Sequence, residues 1–156
     1  MTAIMVPPAE NFSLENYKPE DSVGYLLSRA RTKLAKALDV MLCEHDITHA
    51  QGSIVLMLAT GKYTTATELA RELYIDSASM TRMIDRLEKR GALVRLPRGD
   101  DRRVINLRLT ADGQALAQQL PAIYATVLNL NFIDFSAEEL DLLRNLLRKF
   151  LAIETD

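Results

Sequence analysis

A single cysteine, Cys43, occurs in 156 residues. It rules out an intramolecular disulfide framework and fits a reducing, cytoplasmic setting. Long apolar runs are also missing. The longest, Ile54 to Ala59, is far too short to span a membrane, so no membrane association is expected. No basic residue precedes Lys18 and no apolar leader segment is visible, so no secretory signal is expected. Internal repeats and low-complexity tracts are lacking. So are a glycine-rich phosphate loop, a cluster of metal ligands and a Ser/His/Asp set. Asp85 and Glu88 lie close on one helical pattern, but between basic residues they read as a solvated face rather than an acid/base pair. The chain is therefore expected not to be an enzyme and to carry no cofactor or resident metal.

A net positive charge is lacking as well. The formal charge is −2, which by itself argues against nucleic acid. Its distribution argues the other way. Arg82 to Arg108 holds nine basic and four acidic residues, a local charge of +5, and the remainder carries −7. A basic island on an acidic body is the footprint of a DNA-binding module attached to something else. The hydrophobic share of 48% and charged share of 26% are those of a globular chain, long enough for one core.

Along the chain, residues 1–18 show apolar residues without period and read as an irregular arm. Pro19 is placed to start a helix. Val23, Leu26, Leu27, Ala30, Leu34, Leu38, Met41 and Leu42 recur at helical spacing, which predicts a long helix from about Glu20 to Glu44. Thr48–Gln51 has the form of a capping box opening a second helix that ends near Gly61. Thr65–Glu68 is another, opening a third helix through Leu73. Asp76 or Ser77 caps a fourth, ending before Gly91, with Met80, Ile84 and Leu87 as its core stripe. Its other side carries Ser77, Ser79, Thr81, Arg82, Asp85, Arg86 and Lys89. Small polar residues come first and bases later. A recognition helix needs this gradient, because short side chains let its N-terminal end approach base edges while Arg and Lys reach phosphates.

Leu93–Leu96 and Val104–Leu109 read as strands joined by a basic turn holding Arg98, Arg102 and Arg103. Beside a helix-turn-helix, such a hairpin suits the neighbouring minor groove, whose negative potential attracts arginine. Thr110 caps a fifth helix to about Leu130, bent at Pro121, and Ser136–Glu139 is a last capping box. The final helix carries a stripe (Leu140, Leu143, Leu147, Phe150, Leu151, with Leu142 and Leu146 beside it) wider than one short helix can bury within a protomer. The expected fold is mainly α with a small β wing. Residues 47–109 form a winged helix-turn-helix, and residues 19–46 and 110–156 form a helical dimerisation region.

Asp76-Ser-Ala-Ser-Met-Thr-Arg-Met-Ile-Asp-Arg-Leu-Glu-Lys-Arg-Gly91, then Asp101-Arg-Arg103, then Leu109-Thr110, resembles the MarR family of winged-helix regulators over about residues 22–150. The resemblance implies a homodimer on a pseudo-palindromic operator, with recognition helices in major grooves about 10 base pairs apart. It implies that Ser77, Ser79, Thr81 and Arg82 face bases or nearby phosphates and that Arg86 holds backbone. In the wing it implies Arg103 as a minor-groove residue, Asp101 as the acid that orients it, Arg102 as an accessory contact and Arg98 as a contact at a variable tip. The helix start at Thr64 and Thr65 is expected to meet a phosphate through its N–H groups.

The same resemblance implies release by a small aromatic acid or phenolic ligand near the first, second and fifth helices. Arg29 and Arg31 would neutralise its carboxylate, and His45, His49 and Tyr124 would hydrogen-bond its ring substituent. Three alternatives stand beside this reading. His45 and His49, with Glu44 and Asp46, raise a metal-responsive regulator, although a helix break between them spoils the ligand geometry. Cys43 raises a redox-responsive one, against its expected place as a semi-buried inert thiol. A dimeric adaptor whose basic island faces an acidic protein is the third.

Overall fold

The computed structural model describes residues 12–99, 101 and 103–153. Arg102 and most of the predicted N-terminal arm lie outside them. What is described of the arm includes a 3-10 turn, Leu14–Asn16. Pro19 starts only a second such turn, Pro19–Asp21, and not the long helix. Ser22 caps that helix instead: its side chain accepts from the Tyr25 N–H, and α1 runs Val23–Leu42. A further 3-10 turn, Cys43–His45, closes on Asp46 in the left-handed region at φ 54°. The predicted helix of 20–44 is thus a shorter α-helix with a tightened turn at each end.

The other boundaries follow their caps. α2 spans His49–Ala59 behind the Thr48/Gln51 capping box. α3 spans Ala66–Glu72 behind the Thr65/Glu68 box. α4 spans Ser77–Lys89 behind Asp76, whose side chain accepts from the Ser79 N–H. Gly91, at φ 81°, ends that segment where a side chain would be strained. β1 (Leu93–Pro97) and β2 (Ile105–Leu109) pair antiparallel, with Leu93 opposite Leu109 and Pro97 opposite Ile105. α5 (Ala111–Asn131) continues through Pro121, and α6 (Ala137–Leu151) opens on the Ser136/Glu139 box. None of the described helices is long and apolar enough to cross a membrane.

The buried core gathers Leu42, Ile47, Ile54, Val55 and Leu58 from the α1–α2 corner and Leu69 from α3. Met80, Ile84 and Leu87 join from α4, Leu93, Leu107 and Leu109 from the wing, and Leu116 and Leu120 from the first half of α5. Burying each of the three α4 side chains contributes about 1.5–3 kcal/mol, which fixes the rotation of that helix. Two backbone hydrogen bonds and one from a side chain lock the wing to its neighbours. The Leu107 N–H donates to Thr64 O at 2.7 Å, the Thr110 N–H donates to Ala92 O at 3.0 Å, and the Thr110 hydroxyl donates to Gly91 O. Gly113 sits against the carbonyl that accepts from the Thr110 N–H, since a Cβ there would lie 1.9 Å from the Ala92 oxygen.

The flanking helices are different. Leu42 is the one residue of α1 that is buried, and α6 buries none. Leu142, Leu146, Phe150 and Leu151 stay exposed on α6, as do Val23 and Leu26 on α1 and Leu130 on α5.

Candidate nucleic-acid interface

α4 is held by its apolar stripe so that Ser77, Thr81, Arg82, Asp85, Arg86 and Lys89 face solvent, with Ser79 half-buried at the margin. The Thr81 hydroxyl donates back to Ser77 O at 2.9 Å, and the Arg82 guanidinium reaches Ser79 Oγ at 2.9 Å. These are local contacts that a stronger partner displaces. Asp76 stands at the tip. Its carboxyl is held below the usual range chiefly by the Ser79 N–H, so it stays ionised at the helix start.

The wing tip is built by its own acid. Arg98 N–H donates to Val104 O, Val104 N–H to Asp101 O, and Arg103 N–H to Asp101 Oδ1 at 2.9 Å. Asp101 therefore fixes the Arg103 backbone as an Asx-type turn. Arg98, Asp101 and Arg103 are all exposed, on the hairpin that follows α4.

Two expectations change here. Asp85 and Glu88 are not idle spacers: Arg95 of β1 donates one guanidinium nitrogen to Asp85 Oδ1 at 2.6 Å and another to Glu88 Oε2. The Arg95 backbone N–H also donates to Glu88. This clasp ties the wing to α4 and removes Arg95 from the free positive charge. Arg90 is withdrawn as well, its Nε and Nη2 donating to His45 O at 3.1 and 2.7 Å. Neither role was visible in the sequence, because clasp and latch both join residues whose nearness depends on the fold. The second change concerns the start of α3. The Thr64 and Thr65 N–H groups already donate to Glu68 Oε2, at 2.7 and 3.0 Å, so the phosphate expected there meets donors occupied by a carboxylate.

The sequence-predicted effector residues are not brought together. Exposed Arg29 donates to its own neighbour Tyr25 Oη at 3.1 Å and lies over that ring, and Arg31 is exposed on the same helix. His49 and Tyr124 do meet, but through each other's framework. His49 Nδ1 lies 3.0 Å from Asp39 Oδ1, and the Tyr124 hydroxyl donates to His49 O at 3.2 Å. Burial, above all, pushes the Tyr124 phenol up. Gly52 leaves the space for that hydroxyl, since a Cβ would meet it at 2.8 Å. His45 lines a separate hollow of about 420 Å³ with Arg90, Asp112 and Gln119. A larger cavity of about 760 Å³ lies instead between the ends of α1 and α4 and the start of α2. Cys43 lies on its wall and is exposed, not semi-buried as expected. Among the described residues, no three His, Cys, Asp or Glu side chains gather as a metal site.

Comparison with known proteins agrees with this geometry. The profile of the MarR family matches residues 47–105. The multiple antibiotic resistance protein MarR of Escherichia coli (strain K12) is 31% identical over 130 residues, covering 83% of this chain and 90% of that protein. A mutant E. coli MarR solved in complex with operator DNA superposes with a TM-score of 0.74 at 30% identity, over 82% of this chain and 92% of that one. Bordetella bronchiseptica BpsR, described as regulated in DNA binding by 6-hydroxynicotinic acid, superposes with a TM-score of 0.77 at 25% identity, over 88% and 99%.

Proposed function

Since this chain belongs to the MarR family of winged helix-turn-helix DNA-binding transcription regulators and is not an enzyme, we propose that it is a dimeric repressor released from a pseudo-palindromic operator by a small aromatic acid or phenolic ligand. The observation that carries the DNA half is the rotation of α4. Its three apolar residues are buried, while Ser77, Thr81, Arg82 and Arg86 face outward beside the exposed wing arginines. On this reading Thr81 and Arg82, with Ser77 and Ser79, address bases or nearby phosphates and Arg86 holds backbone. Arg98, Arg102 and Arg103 approach the adjacent minor groove, with Asp101 shaping the turn. Thr65 contributes at most its side chain, since the N–H groups there are filled. Residues 47–109 are the reading head, and 19–46 with 110–156 are the dimerisation region.

The ligand half draws on relatives such as BpsR and its 6-hydroxynicotinic acid. Selection of bound fragments from random duplex DNA tests the DNA half. The expected outcome is a recovered site with two-fold symmetry and half-sites about 10 base pairs apart, bound with an affinity that falls steeply with salt. Recovery of no common site, or of sites without a two-fold relation, would refute the dimeric reading.

A further inference from the structure

The turn between α3 and α4 holds a residue that does not suit its backbone. Tyr74 adopts φ 52°, in the left-handed region. The turn is a Schellman motif: the Tyr74 N–H donates to Arg71 O at 3.4 Å and the Ile75 N–H to Ala70 O at 3.0 Å. Such a turn favours glycine at this position, because a Cβ is crowded there. The same chain follows that preference after α4. There the Gly91 N–H donates to Glu88 O and the Ala92 N–H to Leu87 O, both at 2.9 Å, with Gly91 at φ 81°. Tyrosine in the first of these two turns is therefore strained where glycine would not be.

Nothing inside the fold offsets this strain. Ala70, Leu73 and Ile75, which surround the turn, pack on the core. Tyr74 is 85% exposed, more than any other aromatic side chain among the described residues, and its hydroxyl has no hydrogen-bond partner among them. A strained side chain that the fold does not use internally is explained by something outside it.

Its place in the chain says what that is. Two residues on, Asp76 caps α4, and Ser77, Thr81 and Arg82 follow on the outward face. The turn thus borders the surface read above as the DNA contact. Backbone donors at both helix starts nearby are occupied. Glu68 accepts from the Thr64 and Thr65 N–H groups, and Asp76 accepts from the Ser79 N–H at 2.8 Å. Both acceptors are carboxylates, which repel phosphate. A neutral hydroxyl beside them can still donate to a phosphate oxygen.

We infer that Tyr74 is a DNA-backbone contact, its phenol donating to a phosphodiester oxygen that flanks the groove entered by α4. The inference rests on the DNA reading above and adds a residue to it. The contact positions α4 on the duplex and selects no base.

The test compares the full-length wild type with Tyr74→Gly and Tyr74→Phe. Thermal unfolding is measured first. Tyr74→Gly should melt at the wild-type temperature or above it, since glycine relieves the turn. A lower melting temperature would show that the side chain serves the fold, and would overturn the inference. Affinity is then measured by fluorescence anisotropy, on random-sequence duplex and on the site recovered by selection. Both variants should bind both duplexes about tenfold or more weakly, the loss of a hydrogen bond to a charged group. The slope of affinity against salt should stay at the wild-type value, because a neutral phenol releases no counterion. Wild-type affinity in Tyr74→Gly would overturn the contact, and wild-type affinity in Tyr74→Phe would overturn the hydroxyl's part in it. Weakening on the selected site alone would make Tyr74 a reader of bases and overturn the backbone assignment. A flatter salt slope would mean that cationic contacts had moved as well, and would overturn a local role. A wild type that binds neither duplex overturns the DNA reading and this contact with it, whereas a binding wild type with equally binding variants overturns the contact alone.

Discussion

At the scale of single residues, several signature positions have a mechanical reason that is easy to state once the contacts are known. Thr110 caps α5 by accepting from the Gly113 N–H at 3.1 Å, and its own N–H and hydroxyl hold the Ala92 and Gly91 carbonyls. Gly113 completes the joint by having no side chain. Here the contact is with backbone, which cannot swing aside as a side-chain tip would. Gly113→Ala is therefore expected to destabilise the chain by about 1–3 kcal/mol, the range for forcing an extra carbon into a packed site. Urea unfolding measures it; an unchanged midpoint would show that the α5 start has room to move. The sequence announced Thr110 as a cap but gave no hint of Gly113, because a glycine near a helix start is unremarkable until something is found pressed against it. Arg90 and Arg95 were hidden for a related reason. A charge count treats all arginines alike, whereas one is latched to a carbonyl and another clasped by two acids.

At the scale of elements, capping chemistry did most of what could be done in advance. Ser and Thr followed three residues later by Gln or Glu located the starts of α2, α3 and α6 to the residue, and Thr110 did so for α5. Where no box was present, as before α1, Pro19 set the start too early, although the apolar period itself, Val23 to Leu42, has the bounds of the observed helix. α3 shows what its box contributes. Glu68 is held below the ordinary glutamate range mainly by the N–H groups of Thr64 and Thr65, so it binds its proton more weakly folded than unfolded. A carboxylate depressed in this way adds stability at pH values above its unfolded pKa, about 4.3, and loses it as pH falls through the folded value. Glu68→Gln should then lower the melting temperature at neutral pH, and the gap to wild type should narrow as pH falls below the unfolded carboxylate value. A gap that stays constant with pH would mean that the charge on Glu68 is irrelevant and only its shape matters.

At the scale of the whole molecule, the apolar surface is divided unevenly. The central lobe closes on itself, while the flanking helices keep theirs in the open. α6 buries no residue, yet exposes Leu146 at 55% and Phe150 at 71%. Exposed stripes of this kind on helices from both ends of a chain mark an association surface. The wild type is expected to sediment at twice the chain mass of 17.5 kDa. The double variant Leu146→Glu/Phe150→Glu should shift toward single-chain mass while keeping most of its far-UV helical signal. A wild type that sediments as a single chain would remove the dimer from the proposal. The contacts of the predicted effector residues were the part least legible from the sequence, for a physical reason. Polar residues such as His49 and Tyr124 look available in a string of letters, yet the fold uses them on Asp39 and on a helix carbonyl.

The bareness of α6 reaches beyond geometry. A helix that finds its apolar cover on a second chain makes the folded fraction depend on how many copies are present, since association draws on mass action where an internal core does not. On the dimeric reading proposed above, the protein would measure its own abundance: dilution would loosen its ends before its reading head, and synthesis rate would become one of its inputs.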